Sequence, residues 1–233
     1  MSVLSGIVST ALHGTQPPYA HMSEEDAELF YTTLNALLVY ANEQLHVVRP
    51  QTLRVRPENP LMIYANGGRV SEELWRRRAL VADFVRENPR GLSREQLAVA
   101  RPWRYALRDA FCVLDATPDR LVAMNQDRLF VVGAMQDPAD EHVHGTPSLD
   151  LLTLLPFKGG IVPSGMTLHL SPRPVAGALP SIVEQARELA ARPVIATAHD
   201  LVAYARMIPD EENRVGPLFQ QRVDEGFASG ALA

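Results

Sequence analysis

An acidic segment at residues 137–144, read as DPADEHVH, places two histidines two positions apart. In an extended chain, side chains two residues apart project to the same face. Imidazole and carboxylate groups are ligands for zinc and other divalent cations. The segment therefore supports the hypothesis of a divalent metal site in a metal-dependent hydrolase, with the ligands Asp140, His142 and His144.

A solvated acidic loop is the competing interpretation of the same segment. Structural zinc sites usually recruit further ligands from a second segment, and the only cysteine, Cys112, cannot supply a multi-thiolate site. The sequence favours the solvated loop over the metal site.

A second group of residues concentrates positive charge. Residues 71–108 contain nine arginines and five acidic residues, a local charge of +4 in a chain of net charge −5. The predicted order of helix, turn, helix, turn, helix and β-hairpin is that of a winged helix, whose arginines contact phosphates. We therefore expect a non-enzymatic binding or regulatory protein that engages nucleic acid or an acidic protein partner. The candidate contact residues are Arg76, Arg77, Arg78, Arg94, Arg101 and Arg104.

Lys158 is the only lysine in the chain, beside 21 arginines. It lies in Phe157-Lys158-Gly159-Gly160, between two apolar runs, where glycines suit a hairpin turn. The segment lacks the order of a phosphate-binding loop. We predict a lysine at the tip of a turn rather than a catalytic or ligand-binding lysine, and we attribute the preference for arginine to the codon bias of a GC-rich genome.

Three other reactive residues have structural explanations. Cys112 lies in an apolar strand, which predicts a buried thiol rather than a nucleophile. Ser164 follows a proline and precedes a glycine without the G-x-S-x-G order of a nucleophile turn. His199 and Asp200 are predicted to form the first turn of a helix behind Thr197.

Composition limits the classes of protein that this chain can belong to. With 233 residues, 46% of them hydrophobic, it can bury a substantial core, and its negative net charge argues against a nucleic-acid packager. A single cysteine fits a reducing compartment. The first residues have no basic region typical of a signal peptide, and no run approaches the length of a membrane span. We expect a soluble cytoplasmic protein that does not contact a membrane.

The first half of the chain has helical periodicity. Ser23 with three following acidic residues predicts a helix over 24–45. Residues 61–64 suggest a short strand or turn before Gly67-Gly68. Ser71 predicts the start of a second helix, and Ser93 with Gln96 predicts a capping box at the start of a third. Pro102 is expected to open a short fourth helix.

The second half begins with strands. Apolar runs at 111–114, 121–124 and 129–132 predict a meander, and 149–157, 161–162 and 166–170 extend it. Helices are predicted at 180–190 and 199–207, with an edge strand at 194–196. These elements predict an α+β fold with N-terminal helices, a mostly antiparallel sheet of four to six strands and C-terminal helices, without the alternation of a Rossmann-like sheet.

The predicted domain organisation follows from these elements. A flexible N-terminal segment, 1–22, precedes a single α+β domain, 23–208. Within that domain, residues 23–110 are helical, 111–170 form the sheet and 178–208 are helical again. Residues 209–233 are predicted to form an acidic mobile tail.

Aromatic residues in the helical half are predicted to be core residues. Trp75 and Phe84 recur along an arginine-rich segment, and Trp103 precedes the sheet. We predict that Phe84 and Trp103 are largely buried and join helices to sheet. The alternative makes Trp103 an exposed platform for stacking a nucleic-acid base beside Arg101 and Arg104.

Two segments carry a resemblance to a known family. Residues Asn88-Pro89, Leu92-Ser93, Glu95, Leu97 and Trp103, followed by Leu154-Leu155-Pro156-Phe157-Lys158-Gly159 and Ile161, are similar to a bacterial family of hypothetical proteins with no assigned activity. The resemblance covers residues 71–170. It departs where Ser164 stands in place of the usual aspartate, and it implies no activity.

Overall fold

The computed structural model describes residues 3–12, 21–53, 60–143, 145–165, 167–171 and 178–209, with Val215, 220–221 and 224–225. In these residues the helices are α1 (Val3–Ala11), α2 (Glu24–Leu45), α3 (Pro60–Arg76), α4 (Leu80–Glu87), α5 (Arg94–Ala100), α6 (Leu179–Ala190) and α7 (Ala198–Ala205). Short 3-10 helices are Pro50–Leu53, Arg101–Tyr105 and Ala139–His142. The strands are β1 (Leu107–Thr117), β2 (Arg120–Met124), β3 (Leu129–Gly133), β4 (Ser148–Phe157), β5 (Gly160–Pro163) and β6 (Leu168–Ser171).

Local capping chemistry sets the start of three helices, as the sequence predicts. The Ser23 hydroxyl accepts a hydrogen bond from the Asp26 backbone N–H at the start of α2. At α5, Ser93 and Gln96 form both hydrogen bonds of a capping box, at 3.2 and 2.9 Å. Thr197 and Asp200 form a second box at α7. Each contact satisfies backbone N–H groups that have no partner inside the helix.

The predicted connector before Gly67 is wrong. Residues 61–64 belong to α3, which begins at Pro60 and continues without a break through both glycines. Proline suits the first turn because its missing N–H has no helical partner there. Two mid-helix glycines cost about 1 kcal/mol each, but α3 buries Val70 and Leu74 completely, and this burial outweighs the local penalty. Ser71 is therefore a buried helix residue rather than a cap.

The sheet is antiparallel throughout. Its order is β3-β2-β1-β4-β5, and β6 pairs with β4 beyond the end of β5. Strand β1 begins at Leu107, within the region predicted to be helical. The two ends of the order, β3 and β5, approach each other, so the sheet is curled. The predicted α+β class and sheet of four to six strands are confirmed.

Other elements cover both faces of the curled sheet. Successive side chains of a strand point to opposite faces, so each strand contributes to two clusters. On β1, Phe111 and Val113 belong to an inner cluster that also includes Leu152 of β4 and Leu201 of α7. Leu114 on the opposite face packs with α1 and α6. A third cluster lies among α2, α3, α4, α5 and the β4–β5 hairpin.

The predicted flexible segments at the two termini stay predictions, but some of their residues contact the domain. The sequence predicts flexibility over 1–22, but Leu4, Val8 and Leu12 are buried against the outer face of the sheet. Most of the predicted mobile tail, 209–233, lies outside the described residues. Where the structure describes it, Val215 is buried and Asp224 pairs with Arg76.

Residues Val194-Ile195-Ala196 form one parallel bridge to the edge of the sheet. Val131 donates its N–H to the carbonyl of Ile195, and Ile195 donates to the carbonyl of Leu129. The bridge covers β3 at the place where the sequence predicts an edge strand. None of the helices in the described ranges combines the length and apolar character needed to cross a membrane.

The predicted burial of Phe84 and Trp103 is confirmed, since both are 0% exposed. The Trp103 ring meets Phe30 of α2 edge to face, with 5.3 Å between ring centroids. Its indole N–H donates to the Pro156 carbonyl of β4 at 3.1 Å. Trp103 therefore joins the helical layer to the sheet, and the prediction of an exposed stacking platform is wrong.

We expect Trp103→Ala to lower the free energy of unfolding by about 3–5 kcal/mol, because it opens a cavity in the core and leaves the Pro156 carbonyl without its donor. Equilibrium urea denaturation measures the change. Arg104→Ala is the matched control, since Arg104 is the exposed neighbour, and we expect it to change stability by less than about 0.5 kcal/mol. Equal effects of the two substitutions would contradict the assigned role of Trp103.

Candidate functional site

The arginine-rich segment is not one continuous surface. Arg78 is 5% exposed, and its guanidinium donates to three backbone carbonyls: Ala106 at 2.9 Å, Ala205 at 3.1 Å and Ile208 at 2.5 Å. These carbonyls belong to the start of the sheet and to the end of α7. Arg78 therefore joins elements of the fold and does not lie on the exposed arginine-rich surface that the sequence analysis assumed.

Arg108 is buried as well. Its guanidinium forms a two-bond ion pair with Glu72, at 2.5 and 2.6 Å, and also donates to Gln220. The two-bond geometry offsets much of the cost of removing both charges from water. Counting charges in the sequence treats Arg78 and Arg108 like surface arginines, although neither is accessible to a partner.

Arg76 and Arg77 both pair with Glu73, at 3.0 and 2.9 Å. Arg76 also contacts Asp224, a carboxylate of the C-terminal region. Two more of the predicted contact arginines therefore form ion pairs within the protein.

The other three predicted contact arginines, Arg94, Arg101 and Arg104, are exposed and form no ion pair with the carboxylates that the structure describes. The Arg104 guanidinium lies 5.1 Å from the centroid of the Tyr105 ring, and the Arg206 guanidinium of α7 lies at the same distance from that ring. Stacking on an aromatic ring holds guanidinium groups in place while leaving N–H donors for other partners. Arg206 is a member of this cluster that the sequence analysis missed.

An apolar groove of about 440 Å3 runs beside this cluster. Its walls come from α5 and the 3-10 helix Arg101–Tyr105 on one side and from α7 on the other. Arg101 directly precedes the wall residue Pro102, and Arg206 lies one helical turn after the wall residue Val202. We call the groove and its neighbouring arginines, Arg101, Arg104 and Arg206, the arginine-edged groove. Its lining includes the apolar residues Ala98, Val99, Pro102, Ala198 and Val202 and the charged residues Glu95 and Lys158.

Lys158 lines the groove, and its predicted position at a hairpin tip is confirmed. It connects β4 to β5 with a left-handed backbone (φ 42°), followed by Gly159 (φ 86°). Its ammonium group pairs with Asp26 in the first turn of α2, and this hydrogen bond raises the pKa of Lys158. The pair connects the hairpin to α2.

The acidic segment 137–144 lies beside a second cavity, of about 460 Å3. Asp137, Glu141 and His142 line this cavity, and the His142 Nε2 atom is 3.9 Å from an oxygen of Asp137. Asp140 is exposed and is not part of the lining, and His144 lies outside the described residues. Among the residues that the structure does describe, no three His, Cys, Asp or Glu side chains are grouped to hold a metal ion.

The floor of this cavity contains a charged pair that the sequence analysis did not single out. Asp150 of β4 and His169 of β6 stand opposite each other in the strand register. An Asp150 oxygen lies 2.7 Å from His169 Nδ1, and the other oxygen accepts a hydrogen bond from the Ser148 hydroxyl at 2.7 Å. Asp150 is 1% exposed, on the same face of β4 as Leu152 and Leu154. In the sequence, the only sign of this pair is that Asp150 occupies a position of β4 where the alternation of the strand predicts an apolar residue.

Two residues that resemble nucleophiles have structural settings. Burial and the nearby Asp150 carboxylate raise the pKa of the Cys112 thiol to about 11, so it stays protonated at neutral pH. Ser164 is 2% exposed, and its N–H donates to the Thr153 carbonyl at 2.9 Å. Cys112 is half-buried, where the sequence analysis predicted a buried thiol.

A buried polar network joins the β2–β3 turn to α7. The Asn125 amide donates to Asp109 at 2.9 Å and to the Tyr204 hydroxyl at 3.2 Å. The Tyr204 hydroxyl in turn donates to Asp127 at 2.9 Å. These bonds satisfy the buried Asp109 carboxylate and fix the turn against the helix.

Comparison of the chain with models of known protein families, with curated proteins and with solved structures finds no match. The resemblance to a bacterial family of hypothetical proteins therefore stays a prediction. Function must be argued from the arginine-edged groove and from the cavity beside the acidic segment.

We expect the Asp150–His169 pair to make stability depend on pH. The hydrogen bond to Asp150 raises the pKa of His169, so the folded protein holds this proton more tightly than the unfolded chain does. The resulting stabilisation is fully present below about pH 6.5, the ordinary histidine pKa, and is lost as the pH rises through the folded-state pKa. The difference in unfolding free energy between wild type and His169→Asn should therefore shrink between slightly acidic and slightly alkaline pH.

Urea denaturation at a series of pH values measures this difference. His199→Asn is the control for removing a histidine, because the side chain of His199 is 92% exposed. A wild-type advantage over His169→Asn that grows with rising pH would contradict the assigned interaction.

Proposed function

We propose that the protein is a non-enzymatic binding protein that engages an acidic, partly apolar segment of a partner protein through the arginine-edged groove. The proposal is carried by an apolar groove together with two guanidinium groups held on one tyrosine ring. The elements that carry these arginines also supply groove walls. Arginine and tyrosine are enriched at the energetic centres of protein interfaces.

The walls of the groove favour a protein partner over nucleic acid. Ala98, Val99 and Val202 offer contact area to apolar side chains but nothing to a phosphodiester backbone. Nucleic-acid binding relies on neutralising several phosphates, and the predicted set of six arginines falls to three that are both exposed and not paired within the described residues.

The aromatic residues give the same preference. Single-stranded nucleic acid is usually held by bases stacked on exposed aromatic rings. Trp103 is fully buried, and guanidinium groups already lie against Tyr105. A partner segment with apolar side chains for the groove and carboxylates for the arginines fits both features of the surface.

We expect the double substitution Arg101→Glu/Arg104→Glu to weaken binding of an acidic amphipathic peptide on the order of tenfold, because it turns attraction into repulsion at two positions. The probe is a labelled helical peptide with leucines three and four positions apart and glutamates between them, and fluorescence anisotropy measures its binding. Val202→Asn should also weaken binding, because it adds an amide to an apolar wall.

Arg187→Glu on α6 is the matched control, since it reverses one exposed charge away from the groove. A single-stranded oligonucleotide is the competing probe. The proposal fails if the oligonucleotide binds and the peptide does not, if neither binds, or if Arg187→Glu weakens peptide binding as strongly as the groove substitutions.

A metal-dependent hydrolase is the second candidate function, supported by the proximity of His142 and Asp137 on the lining of the cavity. On this proposal, Asp140 and His144 complete the ligand set for a divalent ion. We expect the purified protein to retain a stoichiometric transition metal, and His142→Ala to lose it. Elemental analysis measures the metal content. Wild-type protein without metal after incubation with zinc and desalting would exclude this candidate.

A further inference from the structure

The cavity beside the acidic segment lies at one end of the curled sheet. Inward-facing residues of β1, β2 and β4 form its inner wall, and the segment that follows β3 covers it. Its volume of about 460 Å3 falls within the range of small-molecule sites, which are often found at the mouth of a curled or closed sheet. The cavity is separate in sequence and in lining from the arginine-edged groove.

Much of the lining is apolar. Val113, Leu121 and Leu152 project from the inner face of the sheet, and Met135 follows β3. Tyr31 of α2 adds an aromatic ring. A ligand in this cavity must therefore carry an apolar body of several carbon atoms.

The charged part of the lining is acidic. Asp137, Glu141 and Asp150 line the cavity together with two histidines, and no lysine or arginine is present among the described lining residues. Three carboxylates give a charge of −3 when both histidines are neutral, and −1 when both are protonated. The lining thus favours a cation in every protonation state of the histidines.

One of these carboxylates is fixed before any ligand arrives. One hydrogen bond from the Ser148 hydroxyl and one contact with His169 Nδ1 hold the two oxygens of Asp150, which is almost fully buried. A carboxylate fixed in a low-dielectric site interacts more strongly with a cation than a mobile surface carboxylate does.

We propose that this cavity binds a small organic cation, an amine whose ammonium group meets the carboxylates and whose apolar body packs against the inner face of the sheet. The carboxylate-rich lining disfavours organic anions. The apolar wall offers no ligands to a metal ion but fits a hydrocarbon or aromatic body. This inference does not depend on the proposed partner-binding function, which uses other elements of the chain.

The test compares three molecules of similar shape: 2-phenylethylamine, 2-phenylethanol and phenylacetate. We expect 2-phenylethylamine to bind the full-length protein with a Kd of about 1 mM or below, as its few non-hydrogen atoms allow. We expect the alcohol to bind at least roughly tenfold more weakly, because it lacks the charge, and phenylacetate not to bind. Isothermal titration calorimetry measures all three.

Substitutions at the exposed part of the lining connect the binding to the cavity. Asp137→Asn/Glu141→Gln should weaken amine binding roughly tenfold and leave the fold intact, because both side chains are exposed. Asp119→Asn, in the turn between β1 and β2, is the control, because Asp119 is exposed and outside the lining. It should change the affinity less than about twofold. Val143→Trp should abolish binding by filling the space.

Four outcomes would overturn the proposal: no binding of the amine at about 10 mM, equal binding of the amine and the alcohol, equal effects of Asp119→Asn and the double substitution, or unchanged binding in Val143→Trp. Equal binding of the amine and the alcohol would indicate an apolar pocket without recognition of charge. Failure of the peptide to bind the arginine-edged groove would leave the amine results unaffected, so the two proposals fail separately.

Discussion

A buried guanidinium joins the helical half of the molecule to the rest. Arg78, between α3 and α4, donates to three backbone carbonyls, at the start of β1 and at the end of α7. The five N–H donors of a guanidinium make three such contacts possible. The buried pair of Glu72 and Arg108 connects α3 to β1 a few residues away. Removing one partner from such contacts leaves polar groups buried without compensation, so the helices and the sheet depend on each other.

The curled sheet also buries polar groups that need partners, and one of them lies at a candidate site. Because both of its faces are buried, inward positions of the strands are apolar with few exceptions, and Asp150 is such an exception. A buried carboxylate lowers stability unless hydrogen bonds compensate it, and here Ser148 and His169 supply the compensation. Natural proteins usually keep such locally unfavourable groups where function requires them, and this pattern is the general reason to regard the cavity as a site.

Local sequence signals predicted the parts of the fold that local interactions decide. Ser23, Ser93 and Thr197 cap helices through contacts three residues apart, so the sequence alone shows them. The start of α3 could not be found in this way, because burial of Leu74 by distant residues overrides the glycine signals. The same limit applies to the sites. Charge counting cannot separate buried Arg78 from exposed Arg101, and the pairing of Asp150 with His169 needs the strand register.

Strand β4 lies between the two candidate sites and fixes their separation. Its first half supplies Asp150 and Leu152 to the cavity, and its last residues, Pro156 and Phe157, border the arginine-edged groove. Seven residues of extended strand separate Asp150 from Phe157, about 23 Å at the usual rise per residue. Both edges of β4 are hydrogen-bonded, to β1 on one side and to β5 and β6 on the other, so β4 cannot slide without breaking the sheet. A chain of net negative charge thereby keeps the arginine-edged groove and an acidic cavity at opposite ends of one rigid strand.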